Sequence, residues 1–376
     1  MDFSRNIFRV LEWLEENIDD THLENVTARH IKALSFESLD RPVAQISLPV
    51  EDLEPYLYAD TYDDVEKMFY NELIACVTSV LSKDDGLLTI RSNYGVGTMP
   101  SLFGTLDRIT EKDTKPWVTH LNTNEVEKIL ANGQPDLNAG YGKQIYDVYS
   151  YYKEILEGYP LCKKHIHLIH PDMQGPFDIA HLIMGTDIYY QMYDNPEQVE
   201  ALLSLITDTY IAFFHWMNPL LTDKIMVDNV AYCYHHRHLW GGNVLLRNDT
   251  AVNLSKEQYL LFARPYDEEI LEAVGGGSIH FCGRADQWMG EMFETKNVGG
   301  INFGYMDSKY EFGQTLMDFI KPYIDANRVP VVSYFVDDVS FEHFDFQKYN
   351  TGITYSLQAS DLDDLKKKQE ACKKIQ

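Results

Sequence analysis

The feature that most constrains the fold of this 376-residue chain is the regular alternation of short strand patterns with longer helical patterns. Short apolar runs rich in β-branched residues predict strands, and apolar residues spaced three and four apart predict helices between them. We count about eight strand segments, at residues 43–48, 87–90, 165–169, 244–246, 278–281, 300–303, 329–334 and 353–357. Such alternation gives a parallel sheet, and eight units favour a (β/α)8 TIM barrel over a doubly wound open sheet.

Two helical patterns precede the first predicted strand. Residues 5–18 carry apolar side chains at helical spacing, and a second helical stretch covers roughly residues 26–36. We therefore predict an N-terminal helical extension over residues 1–40, followed by the barrel over residues 41–376. A further long helix is predicted over residues 60–81, between the first two strands.

The charge balance limits the classes of partner. The chain has 58 acidic and 32 basic residues, a formal net charge of −26. Such a surface repels nucleic-acid phosphates and anionic lipid headgroups, so we expect no nucleic-acid and no membrane partner. It also disfavours a polyanionic substrate, unless a local basic pocket exists. A simple role in solubility explains the acidic surface equally well.

The cysteines and the N-terminus indicate the compartment. The five cysteines are scattered, with no CxxC pair, which indicates a reducing environment. The N-terminal segment is acidic and helical rather than basic and then apolar, so it does not resemble a signal peptide. No stretch approaches about 18 consecutive apolar residues. We expect a cytoplasmic protein.

Barrel enzymes place their reacting groups at the carboxyl ends of the strands and in the loops that follow. This rule selects polar residues after five of the predicted strands. The candidate catalytic residues are Arg91, Tyr94, His170, Asp172, Arg247, Asp249 and Asn302. His170 and Asp172 could form an acid–base pair, although a hydrogen bond at the barrel mouth explains their spacing equally well.

The sharpest local pattern is His280-x-Cys282 at the end of a predicted strand. Residues i and i+2 of a strand face the same side, so both side chains can enter the barrel mouth while Phe281 packs on the opposite side. Imidazole nitrogen and thiolate sulfur are ligands that zinc prefers. We therefore predict metal binding by His280 and Cys282. The alternative is a buried cysteine beside a hydrogen-bonded histidine.

Residues 228–238 form a second cluster, with three histidines and Cys233 among tyrosines and an arginine. We expect a loop here. Its histidines could hold a metal, or they could stack on the surface and contact substrate.

Several segments resemble the uroporphyrinogen decarboxylase superfamily, in the order expected for it. They are residues 28–34 with Asp40-Arg41-Pro42-Val43, residues 175–180, Arg247-Asn248-Asp249 and residues 280–283. The resemblance covers the chain from about residue 26 onward and implies an α/β barrel. Residues 94–104 also resemble a poorly characterised group named after the decarboxylase.

Within this superfamily the chain does not resemble a true uroporphyrinogen decarboxylase. Those enzymes grip a substrate with many carboxylates through an arginine-rich loop, whereas the corresponding residues 48–55 are acidic here. The resemblance is instead to the decarboxylase-like and corrinoid-dependent methyltransferase-like branch.

In that methyltransferase branch, zinc is held by the His-x-Cys pair and a later cysteine on the last strand. Residues 354–357 of this chain contain no cysteine, and Cys372 lies on the predicted terminal helix. The third ligand could then come from Cys233, His235, His236 or His238, or no metal is bound.

The resemblance therefore implies zinc-assisted methyl transfer on a small substrate, with a corrinoid or a corrinoid protein as partner. One alternative is metal-free decarboxylation of a small carboxylic acid or tetrapyrrole. In that reaction Arg91, Arg247 or Arg284 would grip the carboxylate, and Asp249 or Asp172 would handle the proton. The other alternative is a non-catalytic barrel that binds a corrinoid or tetrapyrrole.

Overall fold

A computed structural model describes residues 3–50, 53–108, 117–222, 224–283, 285–303 and 314–373. Its strands are β1 Val43–Ser47, β2 Leu88–Ile90, β3 Leu106–Arg108, β4 Trp117–Thr119, β5 Ile166–Leu168, β6 Lys224–Val227, β7 Val230–His235, β8 His238–Gly241, β9 Leu245–Arg247, β10 Gly277–Phe281, β11 Val298–Phe303, β12 Val331–Phe335 and β13 Ile353–Gln358.

The helices are α1 Ile7–Asn17, α2 Asp20–Leu34, α3 Tyr58–Thr61, α4 Val65–Ser82, α5 Thr98–Leu102, α6 Thr123–Asn132, α7 Gly142–Leu156, α8 Pro160–His165, α9 Pro176–Met184, α10 Asp187–Asp194, α11 Pro196–Met217, α12 Lys256–Phe262, α13 Arg264–Val274, α14 Met289–Phe293, α15 Gln314–Asn327, α16 Asp338–Phe341 and α17 Leu362–Lys373. The helix predicted over residues 60–81 is two helices, because Asp64 caps α4 by accepting hydrogen bonds from the backbone N–H groups of Glu66 and Lys67.

The protein has a mixed α/β fold built around parallel strands. Six of them form one sheet in the order β1-β13-β12-β11-β10-β9, and β2 pairs with β5 in a second, two-stranded sheet. All eight strand segments predicted from the sequence correspond to these eight parallel strands. In the part of the chain that the structure describes, hydrogen bonds do not join them into one closed sheet.

Residues 228–238, expected to be a loop, instead belong to an antiparallel sheet of β6, β7 and β8. Both of its turns, Asp228-Asn229 and His236-Arg237, contain two residues with positive φ. This is the geometry of a two-residue hairpin, which is normally signalled by Asn-Gly or Asp-Gly. The prediction was wrong because no glycine marks these turns.

The β7–β8 hairpin is buried. Its residues Tyr232, Cys233, Tyr234, Leu239 and Trp240 form an apolar cluster with side chains of α2 and of the parallel strands. β8 lies against β10, β11 and β12. The hairpin therefore fills space beside the parallel strands and is held there by α2.

The two N-terminal helices are part of the packed structure. α1 buries Leu11 and Leu14 in the main core. α2 is fixed to the start of β2, because Arg29 donates a hydrogen bond to the buried carboxylate of Asp85, which also pairs with Arg41. The boundary at residue 40 stays a prediction.

Among the described residues, no helix combines the length and the apolar character that are needed to cross a bilayer.

Candidate metal centre and its surroundings

The register of the parallel sheet aligns three polar side chains at the carboxyl ends of β9, β10 and β11. His280 lies opposite Arg247 on one side and opposite Asn302 on the other. The alternate residues Ile279 and Phe281 are fully buried, as the strand period requires. Cys282 and Asp249 lie just beyond the ends of β10 and β9. Local periodicity and sheet register together thus build one site.

Asp249, His280 and Cys282 converge at this edge. One potential ligand atom from each side chain lies within 4.8 Å of the others, and no second group of this kind occurs in the described ranges. The Cys282 sulfur is 3.3 Å from His280 Nε2, and an Asp249 carboxylate oxygen is 3.4 Å from the same nitrogen. The predicted pair therefore has a third potential ligand, Asp249, which the sequence suggested only as a catalytic acid or base.

Asn302 sets the tautomer of His280. The Asn302 amide nitrogen donates to the backbone oxygens of Val332 at 2.6 Å and Ser333 at 3.3 Å, so its oxygen faces His280. That oxygen lies 2.6 Å from His280 Nδ1, which must donate the proton. The Nε2 lone pair then faces Cys282 and Asp249. This is the orientation of a metal-binding histidine supported by a neighbouring acceptor.

The protonation of Cys282 depends on its neighbours. Burial and the nearby Asp249 carboxylate raise the pKa of the Cys282 thiol to about 12. Burial raises the pKa of Asp249, but the nearby His280 and the hydrogen bond from the Cys282 backbone N–H lower it overall. A divalent cation has the opposite effect: it lowers the pKa of a thiol that coordinates it, so that the thiol loses its proton. One imidazole, one thiol and one carboxylate form a donor set that fits zinc with an open fourth position.

Arg247 organises the neighbouring polar cluster. Its guanidinium pairs with Asp172 and donates to Nε2 of His235 at 2.8 Å and of His236 at 2.6 Å. Burial, followed by the nearby His236, lowers the pKa of His235 well below its usual value. Burial and the nearby Arg91 lower the pKa of Arg247 to about 9. Since a guanidinium can only donate, the Nε2 atoms of His235 and His236 both accept from Arg247.

The proposed replacement ligands lie elsewhere. His238 is buried, with its ring nitrogens 3.3 Å from the hydroxyls of Ser356 and Thr354. Cys233 belongs to the apolar cluster of the hairpin. Within the described residues, neither these two nor His235 and His236 join the group that contains Cys282.

The other candidate residues fall into two sets. Arg91 lies 3.7 Å from Asp172, whose other carboxylate oxygen accepts from Gln174 at 2.6 Å and from Arg247. Tyr94 and His170 are packed against aromatic rings instead, Tyr94 on Tyr141 and His170 on Phe214. Burial raises the pKa of Tyr94 to about 12. Arg284 lies outside the described residues.

Two buried carboxyl groups fix the loop after β9 through hydrogen bonds. Asp267 accepts a hydrogen bond from the Asn248 side chain at 2.6 Å, and Asp178 accepts one from the Thr250 backbone N–H at 2.6 Å. Burial raises the pKa of Asp267 to about 7 and that of Asp178 well above its usual value. Sequence reasoning missed both residues. Asp178 stands inside the segment 175–180 quoted above, while nothing local distinguishes Asp267.

A polar cavity of about 390 Å³ lies beside this cluster. Residues from β1, α4, β2, the His236-Arg237 turn and β12 line it, among them Gln45, Glu72, Arg91, His236 and Ser333. Ser333 also connects the cavity to the metal centre, because its backbone oxygen accepts from Asn302. Asp249, His280 and Cys282 are not among its lining residues, so the cavity is a neighbour of the metal centre with room for a small polar molecule.

No protein-family model and no curated protein sequence matches the chain. Solved structures do match. A methyltransferase from Methanosarcina mazei superposes with a TM-score of 0.62 and 13% sequence identity, over 92% of this chain and 97% of that chain. The two chains share a fold. The superfamily suggested by the sequence motifs stays a prediction, since a likeness at this identity extends to the fold alone.

Proposed function

We propose that the protein is a zinc-dependent enzyme that transfers a methyl group to or from a small polar substrate. The observation that carries the proposal is the convergence of Asp249, His280 and Cys282, with the His280 tautomer set by Asn302. The methyltransferase named above supports the reaction class, because it has the same fold.

Asp249, His280 and Cys282 would hold the zinc ion. When bound there, zinc lowers the pKa of a substrate thiol or hydroxyl, so that its anion is available as the methyl acceptor or leaving group. Asn302 keeps His280 in the ligand orientation. Arg247 and Asp172 form an ion pair beside the proposed zinc site. His235 and His236 accept hydrogen bonds from Arg247 and keep its guanidinium in place.

The size of the cavity favours a small substrate. A volume of about 390 Å³ is near the lower end of the roughly 300–1,000 Å³ range of pockets for drug-sized ligands. A tetrapyrrole or a corrinoid is much larger than such a ligand. We therefore propose that a corrinoid would reach the site on a partner protein, and we do not favour a barrel that stores a tetrapyrrole.

We also propose that the eight parallel strands form a (β/α)8 barrel. Both gaps between the two parallel sheets are bridged by a backbone hydrogen bond beside the strands. Asp85 N–H donates to the Ala44 oxygen at 3.1 Å, and Gly175 N–H donates to the Arg247 oxygen at 2.6 Å. A closed barrel would place the metal centre in its mouth.

Decarboxylation of a small acid is the second candidate. Arg91 lines the cavity, and its buried Nη1, which lies 3.7 Å from Asp172, makes no hydrogen bond within the described residues. A substrate carboxylate in the cavity would accept a hydrogen bond from this nitrogen. This reaction needs no metal, so a measurement of the metal content of the protein separates the two proposals.

The test is metal content. Purified protein should contain about one zinc ion per chain, as expected for a single three-ligand site. Asp249→Ala, His280→Ala and Cys282→Ser should lose the ion, while the control His343→Ala, at an exposed histidine outside the site, should keep it.

Cobalt substitution gives a second measurement. The cobalt(II) protein should show a thiolate-to-cobalt absorption band that disappears in Cys282→Ser. Absence of metal from carefully prepared protein, or a band that survives this substitution, would rule out the zinc centre. Release of CO₂ from a small acid by metal-free protein would favour decarboxylation.

A further inference from the structure

Two adjoining cavities lie at the end of the parallel strands opposite the metal centre. One, of about 460 Å³, is lined by one face of α2 and by residues 38–41, and the other, of about 260 Å³, by residues around the starts of β1 and β2 and the end of α17. Arg41 lines both. We call the two cavities together the basal cleft.

The basal cleft is basic, whereas the protein is strongly acidic. Its ionisable lining consists of His22, Arg29, Lys32, Asp40, Arg41, Lys83, Asp84, Asp85 and Lys373. Asp84 and Asp85 have fully buried side chains and are already paired, Asp84 with Arg237 and Asp85 with Arg29 and Arg41. The exposed acid of the lining is thus Asp40, which pairs with Arg29 at 3.6 Å. Asp84 is balanced by Arg237 from outside the lining, so five lysine and arginine side chains stand against Asp40 and Asp85, an excess of three positive charges. In the whole chain acids outnumber bases by 58 to 32.

Packing explains only part of this cluster. Arg29 and Arg41 join α2 and β1 to the buried Asp85, and that role needs no ligand. The three lysines have no such role: within the described ranges, Lys32, Lys83 and Lys373 make no side-chain hydrogen bond or ion pair. Elsewhere exposed lysines commonly pair with acids, as Lys143 does with Asp147 and Lys348 with Asp318.

We propose that the basal cleft binds a soluble small molecule that carries phosphate groups. An ionised phosphate has up to two negative charges and three acceptor oxygens, which match clustered ammonium and guanidinium donors. Asp85 orients the guanidinium groups of Arg29 and Arg41, so little side-chain freedom is lost when an anion binds. The net charge of −26 repels anions in general, so binding requires this local reversal of charge.

Pyrophosphate is the probe, used in titration calorimetry at low ionic strength with chloride as the competing anion. Wild-type protein should bind one pyrophosphate per chain. Lys32→Glu and Lys83→Glu should each weaken binding by about tenfold or more, because each change removes a charge-assisted contact and adds a repelling charge. Both lysines are exposed, so the fold should be retained, and circular dichroism checks it.

Lys128→Glu is the matched control, since Lys128 is an exposed lysine on α6 outside the basal cleft. It should bind pyrophosphate like the wild type. The proposal is overturned if the wild type binds no pyrophosphate, or if Lys128→Glu weakens binding as much as Lys32→Glu. The zinc content of all three variants should match the wild type, because the two sites lie at opposite ends of the strands.

Discussion

At the residue scale, the four residues Arg247 to Thr250 alternate between two tasks. Arg247 and Asp249 face the candidate site, where they contact Asp172 and Cys282. Asn248 and Thr250 instead donate hydrogen bonds to the buried carboxyl groups of Asp267 and Asp178, respectively. In the run Arg-Asn-Asp, two residues of the candidate site are therefore separated by Asn248, whose hydrogen bond to Asp267 helps to fix where Asp249 lies.

Asn302 should control metal affinity without touching the metal. Asn302→Ala removes the acceptor of the His280 Nδ1 proton, so either ring nitrogen can carry that proton. We expect zinc affinity to fall by about 10- to 100-fold, measured by competition with a chelator. The control Ser333→Ala keeps the backbone oxygen that accepts from Asn302. Equal affinities in the two variants would contradict the assigned role of Asn302.

Asp267 should make stability depend on pH. Burial raises its folded-state pKa from 3.8 to about 7, so the folded state keeps a proton that the unfolded chain releases. Stability is therefore unaffected below pH 3.8, falls as pH rises from 3.8 to about 7, and stays reduced above that. The full loss is at most about 4 kcal/mol, at 1.36 kcal/mol per pKa unit.

Asp267→Asn keeps an acceptor for Asn248 and removes the titrating group. It should leave stability in urea unchanged at acidic pH and raise it above neutral pH. Asp187→Asn, at an exposed residue, should leave stability unchanged at acidic pH and above neutral pH alike. A variant that is destabilised equally at every pH would show that Asp267 has a different role.

The site was only partly predictable from the sequence, for a physical reason. His280 and Cys282 share a face because strands have a period of two, and this can be read locally. The proximity of Asp249 depends on the register between β9 and β10, and that of Asn302 on the register between β10 and β11. Neither register can be read from residues within one strand. The contribution of Asp267 comes from a helix far from the motif.

At the scale of elements, the eight parallel strands were located because their apolar patterns are local. The β7–β8 hairpin was missed because its place depends on tertiary contacts. Its turn, His236-Arg237, is held by Arg237, which donates to Ser79 and Asp84, and by His236, which accepts from Arg247. These contacts offset the strain of two non-glycine residues with positive φ.

Gly241 should be required for insertion of the hairpin. A Cβ atom at this position would lie 2.1 Å from the backbone oxygen of Gly299 on β11, so β8 or β11 would have to move. We expect Gly241→Ala to lower the free energy of unfolding by about 1–3 kcal/mol, measured in urea. Gly158→Ala is the control, because its Cβ would lie 3.6 Å from the backbone oxygen of Ile155, an ordinary contact. Equal stability of the two variants would show that β8 adjusts freely.

At the scale of the whole molecule, the N-terminal helices and the net charge are the features to consider. The boundary at residue 40 separates α1 and α2 from the parallel strands, although both helices are packed into the structure. The cytoplasmic location also stays a prediction. The net charge of −26 leads to a prediction about the stability of the whole protein.

Salt should stabilise this protein at neutral pH. Repulsion among the excess carboxylates opposes the compact state, and screening weakens it as the Debye length falls from about 30 Å at 0.01 M to about 8 Å at 0.15 M. Salt also weakens surface ion pairs such as Lys143–Asp147, but an exposed pair contributes only about 0–1 kcal/mol. Repulsion should dominate, because 26 negative charges remain after all bases are matched with acids.

The Tm should therefore rise with sodium chloride at neutral pH, and this rise should shrink near the carboxylate pKa of about 4. A Tm that falls with salt at neutral pH would show that paired charges, rather than the net charge, control the electrostatic part of stability.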